Sequence, residues 1–489
     1  MYALFEILNL LNKAEKCHKH YIDGAWVDPI TSVSFPIMNP ATNSQIGDVS
    51  LGCVEDVNIA VAAAKRAFET FSKTTKAERL ALLERLLEIV TARKEEMAQA
   101  ITSEMGAPIS MSRDAQADCG IGHIESFIKA FKSQETRETL PSGDILSREP
   151  IGVCGLITPW NWPINQIAQK VVPALAIGAT CVLKPSEYTP LSAELFAQMV
   201  HEAGYPAGVF NLVYGDGMTV GSTMSRHPDI AMMSFTGSTR AGVAVSKDAA
   251  ETIKRVTLEL GGKSPNLVFA DCDLESRVKA SVMQCFYNTG QSCNAPTRML
   301  VERSCYDRVL EIAKQTADAQ KVGDPAQEGD HIGPLFDQLQ YDRVQVMIEL
   351  GIGEGATLLV GGLGKPEGLE SGWYAKPTIF ADVNNDMRIA REEIFGPVLV
   401  IIPFDSEEEA IAIANDSDYG LAAYLQTGDA ARAERIADQL RAGAIAINGK
   451  GSNYGSPFGG YKQSGNGREG GIFGLEDYQE LKVRCPITL

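Results

Sequence analysis

The sequence of 489 residues contains no dense cluster of cysteines. Its ten cysteines are scattered along the chain, and none are spaced as Cys-x-x-Cys. Disulfide scaffolds and structural zinc sites both depend on closely spaced cysteines, so the sequence disfavours both. Scattered free thiols are typical of a reducing compartment, and we expect the protein to be cytoplasmic.

An excess of positive charge is also lacking. The chain has 44 Lys and Arg residues against 62 Asp and Glu, which gives a net charge of -18, and no block of like charge accounts for the imbalance. Nucleic acids and anionic membranes bind concentrated positive charge. We therefore expect neither of them as a partner.

Long apolar runs are absent as well. The longest one, from Val171 to Leu183, contains a proline and stops at Lys184, which is too short to cross a bilayer. The apolar stretch at residues 1–20 has no basic start, carries Glu6 and offers no small-residue cleavage site. We expect an amphipathic extension there, and its role stays open.

One cluster, Cys17-His18-Lys19-His20, has metal-ligand residue types. Four adjacent residues cannot all point at one ion, so a solvated or partly buried segment is the simpler interpretation. We assign no metal.

Strands and helices alternate over residues 151–260, and the pattern repeats over residues 261–460. Such alternation predicts an α/β fold: a doubly wound parallel sheet of the dinucleotide-binding kind, followed by a second α/β domain. Two glycine-rich turns stand where strands meet helices, at Gly215–Gly221 and Phe235–Gly242. Each turn has the composition to hold a phosphate at a helix N-terminus, but neither matches GxGxxG, so ordinary tight turns stay an alternative.

A single thiol, Cys293, lies on a turn-rich connection after an apolar helical run. Functional side chains are often presented on such connections, whereas most free cysteines are simply buried. The stretch alone does not decide between a reactive and a structural thiol.

From about Tyr21 onward, the chain resembles the aldehyde dehydrogenase superfamily in its NAD(P)-dependent, non-acylating, bacterial-type branch. Seven motifs carry the resemblance in the right order: Pro159-Trp-Asn-Trp-Pro163, Leu183-Lys-Pro-Ser-Glu187, Phe235-Thr-Gly-Ser-Thr239, Leu258-Glu-Leu-Gly-Gly-Lys-Ser-Pro265, Gly290-Gln-Ser-Cys293, Glu392-Glu-Ile-Phe-Gly-Pro397 and Ser456-Pro-Phe-Gly-Gly-Tyr-Lys462.

The resemblance implies the catalytic residues Cys293, Glu259, Asn161 and Lys184. Cys293 would attack the aldehyde, Asn161 and the Cys293 N–H would stabilise the resulting oxyanion, and Glu259 would activate the water that hydrolyses the thioester. A carboxylate at position 259 also favours hydrolysis to a free acid over transfer to coenzyme A.

The implied cofactor is NAD, and NADP is less favoured because Glu187 would repel a 2′-phosphate. The residues that the resemblance assigns to the dinucleotide are Trp160, Lys184, Glu187, Gly217, Gly221, Phe235, Gly237, Ser238, Leu260, Glu393 and Phe395.

The resemblance also implies a substrate tunnel, lined by Trp162, Gln169, Tyr287, Ser292, Asn294 and Phe458. The three aromatic side chains suit an apolar aldehyde, while Lys450 at the mouth is either a carboxylate-binding group or simply solvated. The sequence does not identify the aldehyde.

The implied domains are a dinucleotide-binding domain (1–127 and 150–260), a catalytic domain (261–460) and a small β oligomerisation element (128–149 and 461–489). Residues 128–149 read as a protruding hairpin, and the tail from Leu481 alternates like a strand with no obvious partner. We expect a homo-oligomer, and the sequence does not choose between dimer and tetramer.

Other functions stay open at this stage. One is a semialdehyde dehydrogenase that acylates coenzyme A, and another is a catalytically inactive binding or structural relative. A simple thiol esterase, which needs no nucleotide, is a third.

Overall fold

The structure, a computed structural model, describes residues 17–485. Most of the extension expected at residues 1–20 therefore lies outside the described residues. The strands are β1 His20–Ile22, β2 Ala25–Val27, β3 Val33–Asn39, β4 Ser44–Leu51, β5 Arg137–Thr139, β6 Ile145–Pro150, β7 Val153–Ile157, β8 Thr180–Lys184, β9 Phe210–Leu212, β10 Met232–Thr236, β11 Arg255–Glu259, β12 Pro265–Val268, β13 Arg298–Glu302, β14 Thr357–Val360, β15 Thr378–Ala381, β16 Val398–Phe404, β17 Tyr419–Gly420, β18 Ala422–Gln426, β19 Ala444–Ile447, β20 Tyr461–Lys462, β21 Gly465–Asn466 and β22 Gln479–Arg484.

Helices connect most of these strands. The α-helices are Val54–Phe71, Lys76–Ala92, Lys94–Met105, Ile109–Met111, Asp118–Ser133, Pro163–Ile177, Pro190–Glu202, Ser222–Arg226, Thr239–Ala250, Leu274–Phe286, Tyr306–Ala319, Gln338–Gly353, Arg388–Arg391, Glu407–Asn415, Ala430–Ala437 and Gly471–Glu476. Two π-helical turns, Ser112–Ala117 and Gly217–Gly221, and two 3-10 turns, Tyr287–Gly290 and Arg303–Cys305, complete the helical elements.

The first sheet has eight strands in the order β2-β1-β9-β8-β7-β10-β11-β21. Its central strands β9, β8, β7, β10 and β11 are all parallel. Strands β7, β8 and β10 are buried along their whole length, which explains their continuous apolar sequences. The sequence therefore predicted the doubly wound parallel sheet correctly.

The second sheet has seven strands in the order β14-β15-β16-β13-β12-β18-β19. All neighbours are parallel except the antiparallel pair β14 and β15. Hydrophobic clusters line the faces of both sheets. This is the second α/β unit that the repeated alternation predicts.

The helix Pro163–Ile177 leads from the first sheet into the core. It starts with proline at its first position and ends at Gly178, whose φ of 93° terminates the helix in the left-handed region. Nearly all its side chains are buried, including the polar Gln166, Gln169 and Lys170. Polar groups on so buried a helix need partners, and some of theirs come from the site described below.

The hairpin expected over residues 128–149 is shorter than predicted. Residues 128–133 complete the helix Asp118–Ser133, because Ile128 and Phe131 continue its buried face. The hairpin consists of β5 and β6. The tail strand β22 finds a partner within the chain after all, since it pairs antiparallel with β6 in a sheet of order β22-β6-β5.

The side chains of the Cys17-His18-Lys19-His20 segment have separate partners. Cys17 Sγ donates to Glu194 at 2.9 Å, His18 Nδ1 lies 3.3 Å from Ser50 Oγ, and His20 Nε2 lies 3.7 Å from Asp56. Within residues 17–485, no group of three or more His, Cys, Asp or Glu side chains is placed to hold a metal ion.

In the same range, no helix combines the length and hydropathy needed to cross a bilayer.

Candidate active site

The residues singled out in the sequence converge at the carboxyl ends of neighbouring parallel strands. Trp160 and Asn161 follow β7, Lys184 ends β8, Gly237 follows β10 and Glu259 ends β11. In doubly wound sheets, ligands bind in the crevice outside this edge. The fold thus gathers side chains that are far apart in the sequence.

Cys293 lies on the loop between the turn Tyr287–Gly290 and β13. Inside that turn, Asn288 and Thr289 adopt left-handed backbone angles, with φ of 54° and 58°, which redirects the chain sharply toward the thiol. Gly262 packs against the loop that carries Cys293, so closely that a Cβ atom at position 262 would clash with the carbonyl oxygen of Cys293. The segment after β11 therefore supports the thiol loop.

Asn161 is held beside the thiol loop by a buried network of amides. Its Nδ2 donates to the carbonyl oxygen of Gln291 at 3.0 Å, two residues before Cys293. The main-chain carbonyl oxygen of Asn161 accepts from Asn288 Nδ2 at 3.0 Å and from Gln116 Nε2 at 3.3 Å. An amide nitrogen carries two hydrogens, so Asn161 keeps one N–H for another acceptor.

Glu259 lines the same cavity as Cys293. It is only 5% exposed, and neither carboxyl oxygen has a hydrogen-bond partner. Burial raises the pKa of Glu259 well above its ordinary value, and the neighbouring carboxyl of Glu469 raises it further. A Cβ atom on Gly459 would come within 2.6 Å of the Glu259 carboxyl, so glycine leaves room for this acid.

A buried ion pair lies next to Glu259. Lys170 Nζ lies 2.5 Å from Glu469 Oε1 and donates to Ser234 Oγ at 3.2 Å. The positive charge of Lys170 lowers the pKa of Glu259 and so partly offsets the effects of burial and Glu469. The protonation state of Glu259 is thus set by several charges from different elements.

The thiol of Cys293 faces the cavity in acidic surroundings. Burial raises its pKa well above that of an ordinary cysteine, and the carboxyls of Glu393 and Glu259 raise it further. The N–H of Asn294 opposes this shift by hydrogen bonding to the sulfur. The protein alone therefore keeps Cys293 as a thiol at neutral pH.

The basic and acidic residues of the Leu183–Glu187 motif form an ion pair. Lys184 Nζ lies 3.1 Å from Glu187 Oε2 and donates to the carbonyl oxygen of Pro185 at 2.9 Å. A Cβ atom on Gly221 would lie 3.8 Å from Lys184 Cδ, so the first glycine-rich turn borders this pair. Lys184 is not among the residues that line the Cys293 cavity. The geometry groups it with the residues assigned to the cofactor rather than with the thiol.

The two glycine-rich turns differ at their helix starts. Asp216 accepts from the N–H of Thr219 at 2.5 Å, which places a carboxylate at the start of the turn Gly217–Gly221. Ser238 accepts from the N–H of Ala241 at 3.3 Å and begins the helix Thr239–Ala250 without a negative charge. A phosphate therefore suits the second helix start better, because the first already carries an anion.

Close contacts at two glycines show why a larger residue does not fit at position 237 and which residue Leu260 packs against. A Cβ atom on Gly237 would meet the ring of Phe235 at 2.5 Å, so this ring covers the turn. Leu260 packs against Gly242 in the helix that follows the turn. Both side chains lie near the carboxyl ends of β10 and β11.

Glu393 and Phe395 lie on the connection between the helix Arg388–Arg391 and β16. Glu393 Oε1 accepts from the N–H of Gly262 at 2.9 Å. Burial raises the pKa of Glu393, and that hydrogen bond opposes the shift. Phe395 has a left-handed φ of 60° and contacts Trp160 edge-on at 5.6 Å between ring centroids.

A model of the aldehyde dehydrogenase family matches residues 26–484. The chain belongs to this family. The chain is similar to 3-succinoylsemialdehyde-pyridine dehydrogenase from Pseudomonas sp., with 52% identity over 95% of this chain and 97% of the relative.

Solved structures are equally similar. An aldehyde dehydrogenase from Bartonella henselae is 51% identical, with a TM-score of 0.95 over 96% of this chain and 99% of the other. A Cys-to-Ala mutant of aldehyde dehydrogenase C from Pseudomonas syringae, in complex with NAD+ and octanal, is 49% identical, with a TM-score of 0.96 over 97% and 98% of the two chains.

The cavity that contains Cys293 and Glu259 has a volume of about 680 Å³. Of the six residues predicted for the tunnel, five line it: Trp162, Gln169, Ser292, Asn294 and Phe458. Trp162 Nε1 donates to Ser292 Oγ at 2.9 Å, which ties the wall to the thiol loop. The sixth, Tyr287, is not in the lining. It is 44% exposed and packs against Trp162 at 6.2 Å, because the left-handed residues that follow it turn the chain.

Lys450 lies outside this cavity. It is exposed and lines a neighbouring cavity of about 570 Å³ that shares Asn294 and Phe458 with the first. This position is compatible with a carboxylate-binding role, because Lys450 borders the second cavity, and equally with a solvated side chain, because Lys450 is exposed.

Several residues of the site were missed in the sequence. Gln116 comes from a remote π-helical turn, and Phe336 stacks on Trp160 at 3.7 Å from a loop, so no local pattern indicates either of them. Gln166 had a usable signal, since it lies one helical turn before the predicted Gln169. Other polar residues of the cavity that were not predicted include Cys119, His123, Asn165, Thr236 and Glu469.

Proposed function

We propose that the protein oxidises an aldehyde to the carboxylic acid with NAD, through a covalent intermediate on Cys293. The observation that carries this proposal is that a thiol, Cys293, and an unpartnered carboxyl, Glu259, line one cavity, while an amide donor, Asn161, is hydrogen-bonded to the loop of that thiol. A nucleophile, an oxyanion donor and a base are the groups that acyl chemistry requires.

The proposed steps follow from these three groups. The Cys293 thiol loses its proton to solvent, its sulfur attacks the aldehyde carbon, and the carbonyl oxygen becomes negative. The free N–H of Asn161 stabilises that oxygen, an interaction typically worth about 3 kcal/mol. Loss of hydride leaves a thioester on Cys293. Glu259 then takes a proton from water, and the resulting hydroxide attacks the thioester carbon. The C–S bond breaks, the carboxylic acid leaves, and Glu259 returns the proton to the sulfur.

The residues at the strand edge suit a nicotinamide dinucleotide. We assign the ion pair of Lys184 and Glu187 at the end of β8 to the ribose hydroxyls, and Ser238 begins a helix whose N-terminus favours a phosphate. When bound, NAD supplies a positively charged nicotinamide ring that favours the thiolate and accepts the hydride. Similar structures, from Pseudomonas syringae and Bacillus cereus, were solved with NAD+.

We propose NAD rather than NADP as the preferred cofactor. The Glu187 carboxylate can accept hydrogen bonds from ribose hydroxyls but repels a 2′-phosphate. Lys184 neutralises part of this charge, so the preference is a matter of degree.

We propose the hydrolytic reaction rather than acylation of coenzyme A. The buried, unpartnered Glu259 carboxyl faces the thiol cavity and serves no structural contact within it. A group of this kind is explained by a role toward water. The presence of the full set of reactive groups also disfavours an inactive relative.

We further propose that the small sheet β22-β6-β5 assembles the chain into a homo-oligomer. Its edge strand β22 exposes Leu481 and Val483, at 64% and 56%. Exposed apolar residues on an open strand edge are suited to pairing with another subunit.

The experiment follows NADH formation with a panel of aldehydes, offering NAD and NADP in parallel and no coenzyme A. We expect the wild type to form NADH and acid with NAD. We expect Cys293→Ala to lose this activity, while Cys485→Ala, which changes an exposed thiol near the C-terminus, retains it. Full activity of Cys293→Ala, or turnover only when coenzyme A is present, would contradict the proposal.

A further inference from the structure

Part of the cavity wall consists of buried polar side chains that lack some of their hydrogen-bond partners. The carboxamide oxygens of Gln166 and Gln169 have no hydrogen-bond partner, although the two side chains are only 7% and 4% exposed. Nδ1 of His123 and Oγ1 of Thr236 are also buried without a partner. All four residues line the cavity that contains Cys293.

Buried polar atoms in folded proteins are almost always hydrogen-bonded, so four orphaned atoms around one cavity need an explanation. A bound molecule that supplies the missing hydrogen bonds is a direct one. In binding sites, a few convergent polar groups of this kind orient a ligand and determine its specificity.

The position of the two glutamines indicates which part of a substrate they meet. Trp162, which caps the helix Pro163–Ile177, is hydrogen-bonded to Ser292 next to the thiol. With a rise of 1.5 Å per residue, Gln166 and Gln169 lie about 6 Å and about 10 Å further along the helix axis. A substrate whose aldehyde carbon is at Cys293 would therefore present its tail, not its reacting end, to these side chains.

The charges around the cavity determine what kind of tail fits. Burial lowers the pKa of His123 to about 4, so its ring is neutral at physiological pH. No Lys or Arg side chain is among the lining residues, and Lys450 borders the neighbouring cavity, so a carboxylate tail within this cavity meets no counter-charge. Of the two lining carboxyls, Glu469 is paired with Lys170, and Glu259 is the proposed base at the reacting end rather than a partner for the tail.

We propose that this cavity selects aldehydes whose tail carries an uncharged hydrogen-bond donor, such as a hydroxyl or a primary amide, and that the carboxamide oxygens of Gln166 and Gln169 accept from it. The inference rests on the proposed aldehyde oxidation and narrows its substrate class. An alkyl tail would leave both buried carboxamides unpaired, which is the situation that sites of this type discriminate against.

The test compares three series of aldehydes with equal numbers of heavy atoms: alkanals, ω-hydroxyalkanals and ω-carboxyalkanals. We expect the best ω-hydroxyalkanal to exceed its matched alkanal in kcat/KM by about tenfold or more, and the ω-carboxyalkanals to be the poorest. In Gln166→Met and Gln169→Met, which keep the length of the side chain, the preference for the hydroxyl should fall by about tenfold. The kcat/KM for alkanals should change by less than that for ω-hydroxyalkanals.

Retained alkanal turnover also shows that each variant is folded. Gln315→Met, the same change on an exposed helix face, serves as the matched control and should keep the wild-type preference. A wild type that prefers alkanals or ω-carboxyalkanals, or glutamine variants that lose all three series equally, would overturn the inference while aldehyde oxidation stands. Absence of turnover with every aldehyde would instead overturn the proposed function, and this inference with it.

Discussion

Cys293 is surrounded by acidic groups rather than basic ones. Glu393 and Glu259 both raise the pKa of its thiol, on top of the effect of burial. Most catalytic cysteines are activated by a neighbouring base or positive charge, and no cationic side chain is among the groups that shift the pKa of Cys293 here. We infer that the thiol is kept unreactive until the cofactor brings a positive charge to the site.

The rate of alkylation tests this inference. Because the pKa is raised, the thiolate fraction at neutral pH is small and rises about tenfold with each pH unit below the pKa. We expect iodoacetamide to modify Cys293 at pH 7 at least tenfold more slowly than free cysteine, with a rate that climbs through the alkaline range. NAD and Glu393→Gln should each accelerate the reaction.

The measurement is the mass of the peptide that contains Cys293, sampled over time. The exposed Cys485 serves as an internal reference in the same digest. Rapid labelling of Cys293 at neutral pH without nucleotide, independent of pH, would contradict the inferred resting state.

At the scale of elements, the turn Tyr287–Gly290 and the π-helical turn Ser112–Ala117 meet behind the oxyanion donor. Gln116 Nε2 donates to Asn288 Oδ1 at 3.2 Å and to the carbonyl oxygen of Asn161 at 3.3 Å. Gln116 touches neither thiol nor cavity in this arrangement. We interpret it as a positioning residue that fixes Asn161 and the left-handed Asn288.

Replacing Gln116 tests its positioning role. In Gln116→Met the two hydrogen bonds are lost at nearly constant side-chain length, so Asn161 loses its alignment with the oxyanion. We expect the NADH burst and kcat to fall about tenfold, while KM for the aldehyde changes less than about threefold. Gln315→Met is the surface control. A rise in KM with unchanged kcat would contradict the positioning role.

Local sequence patterns predicted the elements well where the burial of side chains follows one regular pattern along the element. The continuous apolar strands β7, β8 and β10 are an example, as is the turn-rich loop around Cys293. The same patterns placed the hairpin too early, because the apolar face at residues 128–133 is satisfied by packing that only the folded chain reveals. The contacts of Gln116, His123 and Phe336 depend on such long-range packing too, and therefore leave no local signal.

At the scale of the whole molecule, residues from both sheets are needed at the site. Asn161 and Glu259 belong to the first sheet, whereas Cys293 precedes β13 and Glu393 precedes β16 in the second. The motifs in the sequence named these residues, but only the parallel strand ends and the support from Gly262 explain why they meet.

The sheet β22-β6-β5 carries the prediction at this scale. We expect a dimer or tetramer in solution, because β22 presents an unpaired edge with exposed apolar side chains. The double variant Leu481→Lys and Val483→Lys should lower the mass measured by light scattering, since like charges would face each other across a paired edge. An unchanged mass for this variant, or a monomeric wild type, would argue against assembly through this sheet.

The central claim is that a thioester forms on Cys293 and is hydrolysed with Glu259 as the base. The most direct measurement is the intact mass of Glu259→Gln mixed with NAD and one aldehyde and quenched after a single turnover. We predict one equivalent of NADH, an added acyl mass on the peptide that contains Cys293, and steady-state turnover reduced by about 10²-fold or more. Wild-type turnover by this variant, or a burst of NADH with no acyl group on Cys293, would contradict the account.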